Sequence, residues 1–158
     1  MSAQTPSPPS WASSSPEQTA RIAAALAREL RLGDIVELDG ELGVGKTTFV
    51  RAAARELGVT DPVTSPTYTV GARHPAANGA VSHLDLYRSA GLTLEELVDL
   101  EPYLEDAIIF VEWPSAGRGV LPPARARVEL RHQGGDARLI SLYSDDSALV
   151  EAVARSLP

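Results

Sequence analysis

Gly40-Glu41-Leu42-Gly43-Val44-Gly45-Lys46-Thr47 fits the pattern G-x-x-x-x-G-K-[ST], and its setting is the one the pattern requires, after an apolar strand and at the opening of a helix. Glycines in such a turn let backbone N–H groups converge on phosphate oxygens, and the helix N-terminus adds its partial positive charge. The nucleotide-binding set is therefore Glu41, Leu42, Gly43, Val44, Gly45, Lys46, Thr47 and Thr48. Lys46 is placed to reach the outer phosphates, and the Thr47 hydroxyl to ligate Mg²⁺. Lys46 is also the single lysine among 14 basic residues, the rest being arginine. A chain that uses arginine everywhere else keeps a lysine where a compact charge on a flexible stem is required. The sequence reads Lys46 as lying on a solvent-facing loop tip.

A phosphate-binding loop also needs an acid near its magnesium, at the end of a buried strand. Glu112 follows the apolar run Ile108-Ile109-Phe110-Val111 and stands in that place, unless it is simply a solvated strand-end carboxylate. Asp85 is the second acid. In His83-Leu84-Asp85-Leu86-Tyr87-Arg88, alternation puts the leucines on one face and His83, Asp85 and Tyr87 on the other, which is either a site or a solvated polar face. Thr64-Ser65-Pro66-Thr67-Tyr68-Thr69 carries hydroxyls that could meet phosphate or magnesium, or else forms a plain proline turn. His74, His83 and His132 show no metal-ligand spacing and read as solvated or core histidines. No lysine remains to build the Asn/Thr-Lys-x-Asp loop on which guanine recognition commonly rests, so adenine is favoured.

The elements that must hold these residues are legible in outline. Ser15-Pro16-Glu17-Gln18 is a helix start with a hydroxyl cap, and Ile22, Leu26 and Leu30 give a stripe that Gly33 ends. A strand over 34–39 leads into the glycine turn, and a helix over 46–57 closes at Gly58. A strand near 68–73 and another over 80–87 flank the turn Ala77-Asn78-Gly79 as a hairpin. Residues 93–106 read as a helix broken by Pro102. Strands follow at 108–111, 124–132 and 137–143, the last two joined at Gly134-Gly135, and a helix over 146–157 ends the chain. The expected fold is α/β, a single P-loop NTPase-like domain with a mostly parallel central sheet, flanking helices and antiparallel hairpin strands.

The chain has 158 residues, 44% of them hydrophobic and 22% charged, which suits one domain with a real core. The first 16 residues hold six serines and four prolines, so 1–15 reads as a disordered tail and 16–158 as the domain. With no cysteine, disulfides, thiolate metal sites and a cysteine nucleophile are excluded. No apolar run suggests a membrane span, and the N-terminus does not resemble a secretory signal, so a cytoplasmic protein is expected. A net charge of −7 argues against unaided nucleic-acid binding.

Four segments together resemble the bacterial TsaE (YjeE) family, the small ATPase of tRNA threonylcarbamoyladenosine synthesis. They are Gly40–Phe49, Ser65–Thr69, His83–Arg88 and Val111-Glu112-Trp113-Pro114, in family order and spacing, within a resemblance spanning about 17–143. Glu41 and Val44 stand where the family commonly has Asp and Ala. The resemblance implies an ATP- and Mg²⁺-dependent ATPase, weak alone, that works with TsaB and TsaD. TsaD transfers a threonylcarbamoyl group to the adenosine beside the anticodon of tRNAs reading codons that start with A, and tRNA would be met only through that complex. It further implies that Thr47 and Glu112 hold magnesium, that Asp85 assists hydrolysis, and that Trp113 lies beside the site. Thr19 would pack near the adenine and Arg138 would reach the nucleotide. A small-molecule P-loop kinase and a non-catalytic nucleotide-sensing adaptor are the competing readings.

Overall fold

The structure is a computed structural model that describes residues 7–64, 66, 70–87 and 91–158. Seven strands form one sheet in the order β1-β7-β6-β2-β5-β4-β3. They are β1 (Ser10–Ser13), β2 (Ile35–Gly40), β3 (Gly71–Ala76), β4 (Gly79–Asp85), β5 (Ala107–Glu112), β6 (Ala126–His132) and β7 (Arg138–Tyr143). The four central strands β6, β2, β5 and β4 run parallel, while β3, β7 and β1 join antiparallel at the two sides. The helices are α1 (Pro16–Ala27), α2 (Lys46–Glu56), α3 (Leu94–Leu104) and α4 (Ser147–Arg155). The expected α/β architecture is the observed one.

Burial explains the strand sequences. All six residues of β5 are buried, so its apolar run has no polar alternation to show. Ile108 and Phe110 join a core with Leu26, Phe49, Val50 and Leu149 from α1, α2 and α4. Ile109 and Val111 point the other way, into a core with Leu84 of β4 and Leu100 of α3. The side of the sheet that carries α2 is thus the side of Phe110 and, two residues on, of Glu112.

Three expectations are corrected. The tail was expected to be disordered through residue 15, yet Ser10–Ser13 forms β1 on the free edge of β7. Backbone pairing is joined there by hydroxyl contacts, Ser10 to Ser141 at 2.7 Å and Ser13 to Thr19 at 2.7 Å, and Trp11 packs against the core. Serine-rich composition hides an edge strand because those bonds replace apolar burial. The first helix closes at Ala27 rather than at Gly33. Glu29 and Leu30 donate to the carbonyls three residues back, a tighter turn that still buries Leu30. Finally, α3 runs through Pro102 to Leu104 instead of breaking. The proline sits in the last turn, where the Pro102 carbonyl accepts from Arg73 at 2.9 Å and the Tyr103 carbonyl from Ser82 at 2.5 Å.

Candidate nucleotide and metal site

The site lies at the carboxyl ends of the parallel strands, where α/β sheets place their ligand crevices. Leu38 of β2, Glu112 of β5 and Asp85 of β4 stand in one row across three paired strands. The loop 40–45 leaves β2 beside that row and opens α2. Gly40 passes so close to its neighbours that a Cβ would lie 2.7 Å from the Leu130 carbonyl oxygen and 2.7 Å from Val44 Cγ1. Gly45, at φ 112°, forms the N-cap of α2 without any side-chain cap, so the first N–H groups of that helix are left for another acceptor. A cleft of about 250 Å³ results. Leu42, Gly43, Gly45, Lys46, Thr47 and Thr48 line it from the loop and α2, and Asp85, Glu112 and Trp113 from the strand ends.

The loop's charges are tied down. Lys46 Nζ donates to the Gly40 carbonyl at 2.5 Å and the Glu41 carbonyl at 3.2 Å, and lies 3.8 Å from the centre of the Trp113 ring. The lysine is only 4% exposed, which corrects the expectation of a solvent-facing tip. Its cover comes from Trp113, whose ring also packs on Tyr87 at 4.8 Å between centroids. Burial draws the Lys46 ammonium below the ordinary lysine range, against the opposing pull of Glu112, Asp85 and Asp39. Trp113 itself adopts φ 55°, a left-handed backbone that a side chain occupies at a cost of about 1–2 kcal/mol. That turn is what swings the ring from the end of β5 over the lysine.

Thr47 and Glu112 meet, with the hydroxyl 3.2 and 3.4 Å from the two carboxylate oxygens. Asp85 is half-buried and accepts from the Tyr87 backbone N–H at 3.0 Å. The face shared by His83 and Asp85 is therefore no solvated polar face: His83 is fully buried, its Nε2 bonded to Glu112 Oε2. Alternation along β4 groups His83 with Asp85, but its link to Glu112 depends on how β4 pairs with β5. Of the loop residues, Glu41 is exposed and contributes its carbonyl, while the Val44 side chain is buried in the core beneath the loop. Arg138 reaches the loop, its Nε donating to the Val44 carbonyl at 2.9 Å. Thr19 is buried against Ser13 and does not line the cleft. Of the hydroxyl-rich stretch, Ser65, Thr67, Tyr68 and Thr69 lie outside the described residues, as does Arg88.

Chemically, the cleft offers a glycine cradle, an uncapped helix start, one ammonium and a hydroxyl–carboxylate pair. Those hard oxygen donors are of the kind magnesium takes, and the cradle suits a phosphate chain. The residues present fit both groups. The sequence of residues 13–140 matches the family model described as threonylcarbamoyl adenosine biosynthesis protein TsaE. The chain belongs to the TsaE family. It is 42% identical over 114 residues to the tRNA threonylcarbamoyladenosine biosynthesis protein TsaE of Streptomyces coelicolor, covering 70% of this chain and 77% of that one. The Bacillus subtilis TsaE is 33% identical over 132 residues, 83% of this chain and 82% of its own length. The crystal structure of YdiB from Bacillus subtilis superposes with a TM-score of 0.78 at 28% identity, covering 97% of this chain and 98% of that one. A TsaE-family role in tRNA threonylcarbamoyladenosine biosynthesis follows from this membership.

Proposed function

We propose that the cleft binds ATP with Mg²⁺ and that the chain hydrolyses it, weakly alone and faster with TsaB and TsaD. The hydrolysis would serve threonylcarbamoylation of the anticodon-adjacent adenosine in tRNAs reading codons that start with A. The observation that carries this reading is convergence: Lys46, Thr47, Asp85 and Glu112 line one cleft from α2, β4 and β5.

In this reading the 40–45 backbone and the start of α2 bind the phosphate chain. Lys46, held beside Gly40 and Glu41, supplies the positive charge that developing negative charge needs. Thr47 and Glu112 hold the metal, and Asp85, in the same row, orients the attacking water. Bound magnesium would supply charge neutralisation at the phosphates. Trp113 covers the lysine and limits water at that end of the cleft. A chain of charge −7 leaves the tRNA to its partners, and a cytoplasmic location goes with that substrate. Among the described residues no helix is long and apolar enough to cross a membrane.

Phosphate release from ATP, measured for the chain alone and with TsaB, TsaD and tRNA, tests the reading. Release should rise with the partners, and Glu112→Gln should lower it at least tenfold while nucleotide still binds. Phosphate transferred to a metabolite would support a kinase instead, and binding without turnover in every mixture an adaptor.

A further inference from the structure

His83 is the one fully buried ionisable side chain among the described residues that the proposed chemistry does not use. It sits in the middle of β4, opposite Ala72 of β3 and Phe110 of β5, on the sheet side that carries Glu112 and Asp85. Its Nε2 bonds to Glu112 Oε2, whereas its Nδ1 is buried with no hydrogen-bond partner among the described residues. That asymmetry assigns the tautomer. A hydrogen on Nδ1 would be a buried donor with no acceptor, while a bare Nδ1 lone pair is the lesser loss. Nε2 therefore carries the hydrogen and donates it to the carboxylate.

Glu112 is only 3% exposed and has three side-chain torsions to fix. Besides His83, the side chain among the described residues that meets its carboxylate is Thr47, at 3.2 and 3.4 Å, the long end of hydrogen bonding. Carboxylates that ligate metals are themselves held by outer hydrogen bonds, which set their orientation before the ion arrives. We infer that His83 is a positioning residue: its Nε2–H fixes the Glu112 carboxylate so that the remaining lone pairs face Thr47 and form a preset seat for a divalent cation. This inference rests on the cleft being a magnesium–nucleotide site. A histidine that merely filled space between Val81 and Asp85 would be replaceable by any side chain of similar volume.

Two substitutions separate the roles. His83→Leu keeps bulk without a donor, and His83→Gln keeps an N–H near the place of Nε2. Calorimetry with a non-hydrolysable ATP analogue, in excess Mg²⁺ and in EDTA, gives the affinity gained from magnesium for each protein. In EDTA both variants should match wild type within about twofold. In Mg²⁺ the Leu variant should lose about 10- to 100-fold, and the Gln variant should recover most of it. A Leu variant that keeps the full magnesium gain, or a Gln variant that loses as much as Leu, overturns the inference. Should the Leu variant fail to fold, the ¹⁵N imidazole spectrum of wild type still decides: the Nε2–H tautomer is expected, and an Nδ1–H tautomer overturns it. Wild type that binds the analogue in neither buffer overturns the nucleotide reading and this inference with it. A normal magnesium gain shared by wild type and the Leu variant overturns the inference alone.

Discussion

Lys46 is held by its surroundings as firmly as a core residue, yet the proposed nucleotide site gives its charge a separate use. Its stem is buried, its ammonium rests on two loop carbonyls and the Trp113 face, and three carboxylates act on it from nearby. Lys46→Met keeps the stem and removes the charge. It should leave the thermal midpoint within a few degrees while weakening ATP binding about 10- to 150-fold, the equivalent of about 1.5–3 kcal/mol for a charged hydrogen bond. Melting curves and calorimetry on the same preparation check both halves, and unchanged affinity would refute the lysine's part. At this scale the loop's place between a strand and a helix was legible in the sequence, because Gly40 to Thr47 is one contiguous stretch. The burial of Lys46 was not, because it is imposed by Trp113 from the distant end of β5, with its ring packed on Tyr87. The His83–Glu112 bond was hidden for the same reason, since it exists only in the register of β4 on β5.

Strands and helices here are joined by a few side chains that bridge several of them. Arg125, just before β6, donates to the Glu29 carbonyl at 2.8 Å, to Asp34 at 2.6 Å and to Asp146 at 3.0 Å. One guanidinium thus ties the turn after α1, the entry to β2 and the N-cap of α4, where Asp146 also accepts from the Leu149 N–H. The Arg125 hydrogen bond, with the Leu149 backbone N–H, holds the Asp146 carboxyl below its usual range. A carboxylate whose folded pKa is depressed stabilises the fold above its unfolded pKa, and that stabilisation is lost as pH falls through the folded value. Stability should accordingly decline on acidification below about pH 4. Asp146→Asn should lower the midpoint by a few degrees at pH 7 and flatten that acid limb. Melting temperatures at a series of pH values decide it, and parallel curves for the two proteins contradict it. Element types were mostly legible from period and caps, as in α1 with its Ser15 cap and β5 with its apolar run. The strand in the serine-rich start was not, because its partners lie at the far end of the chain, on β7.

As a whole the molecule is acidic, with one sheet and a cleft at a single end of it. Such a surface suits protein partners that carry the tRNA contacts themselves. If ATP and ADP favour different arrangements around Asp85 and Trp113, a partner that prefers one of them must alter nucleotide affinity by the same factor. Binding to a TsaB–TsaD complex should be about 5- to 150-fold tighter with an ATP analogue than with ADP, a coupling of about 1–3 kcal/mol. Trp113→Ala should shrink that ratio more than it weakens ATP binding to the isolated chain. Interferometry with analogue, with ADP and without nucleotide measures it, and equal affinities in the three states refute the coupling.

Titration of the wild-type chain with ATP by calorimetry, with and without magnesium and against GTP as competitor, bears most directly on the nucleotide site. The expected result is one site per chain, tighter with magnesium, from which GTP displaces ATP poorly. Absence of binding, or displacement by GTP as effective as by ATP itself, would contradict the assignment of the 40–48 cleft as a magnesium–ATP site.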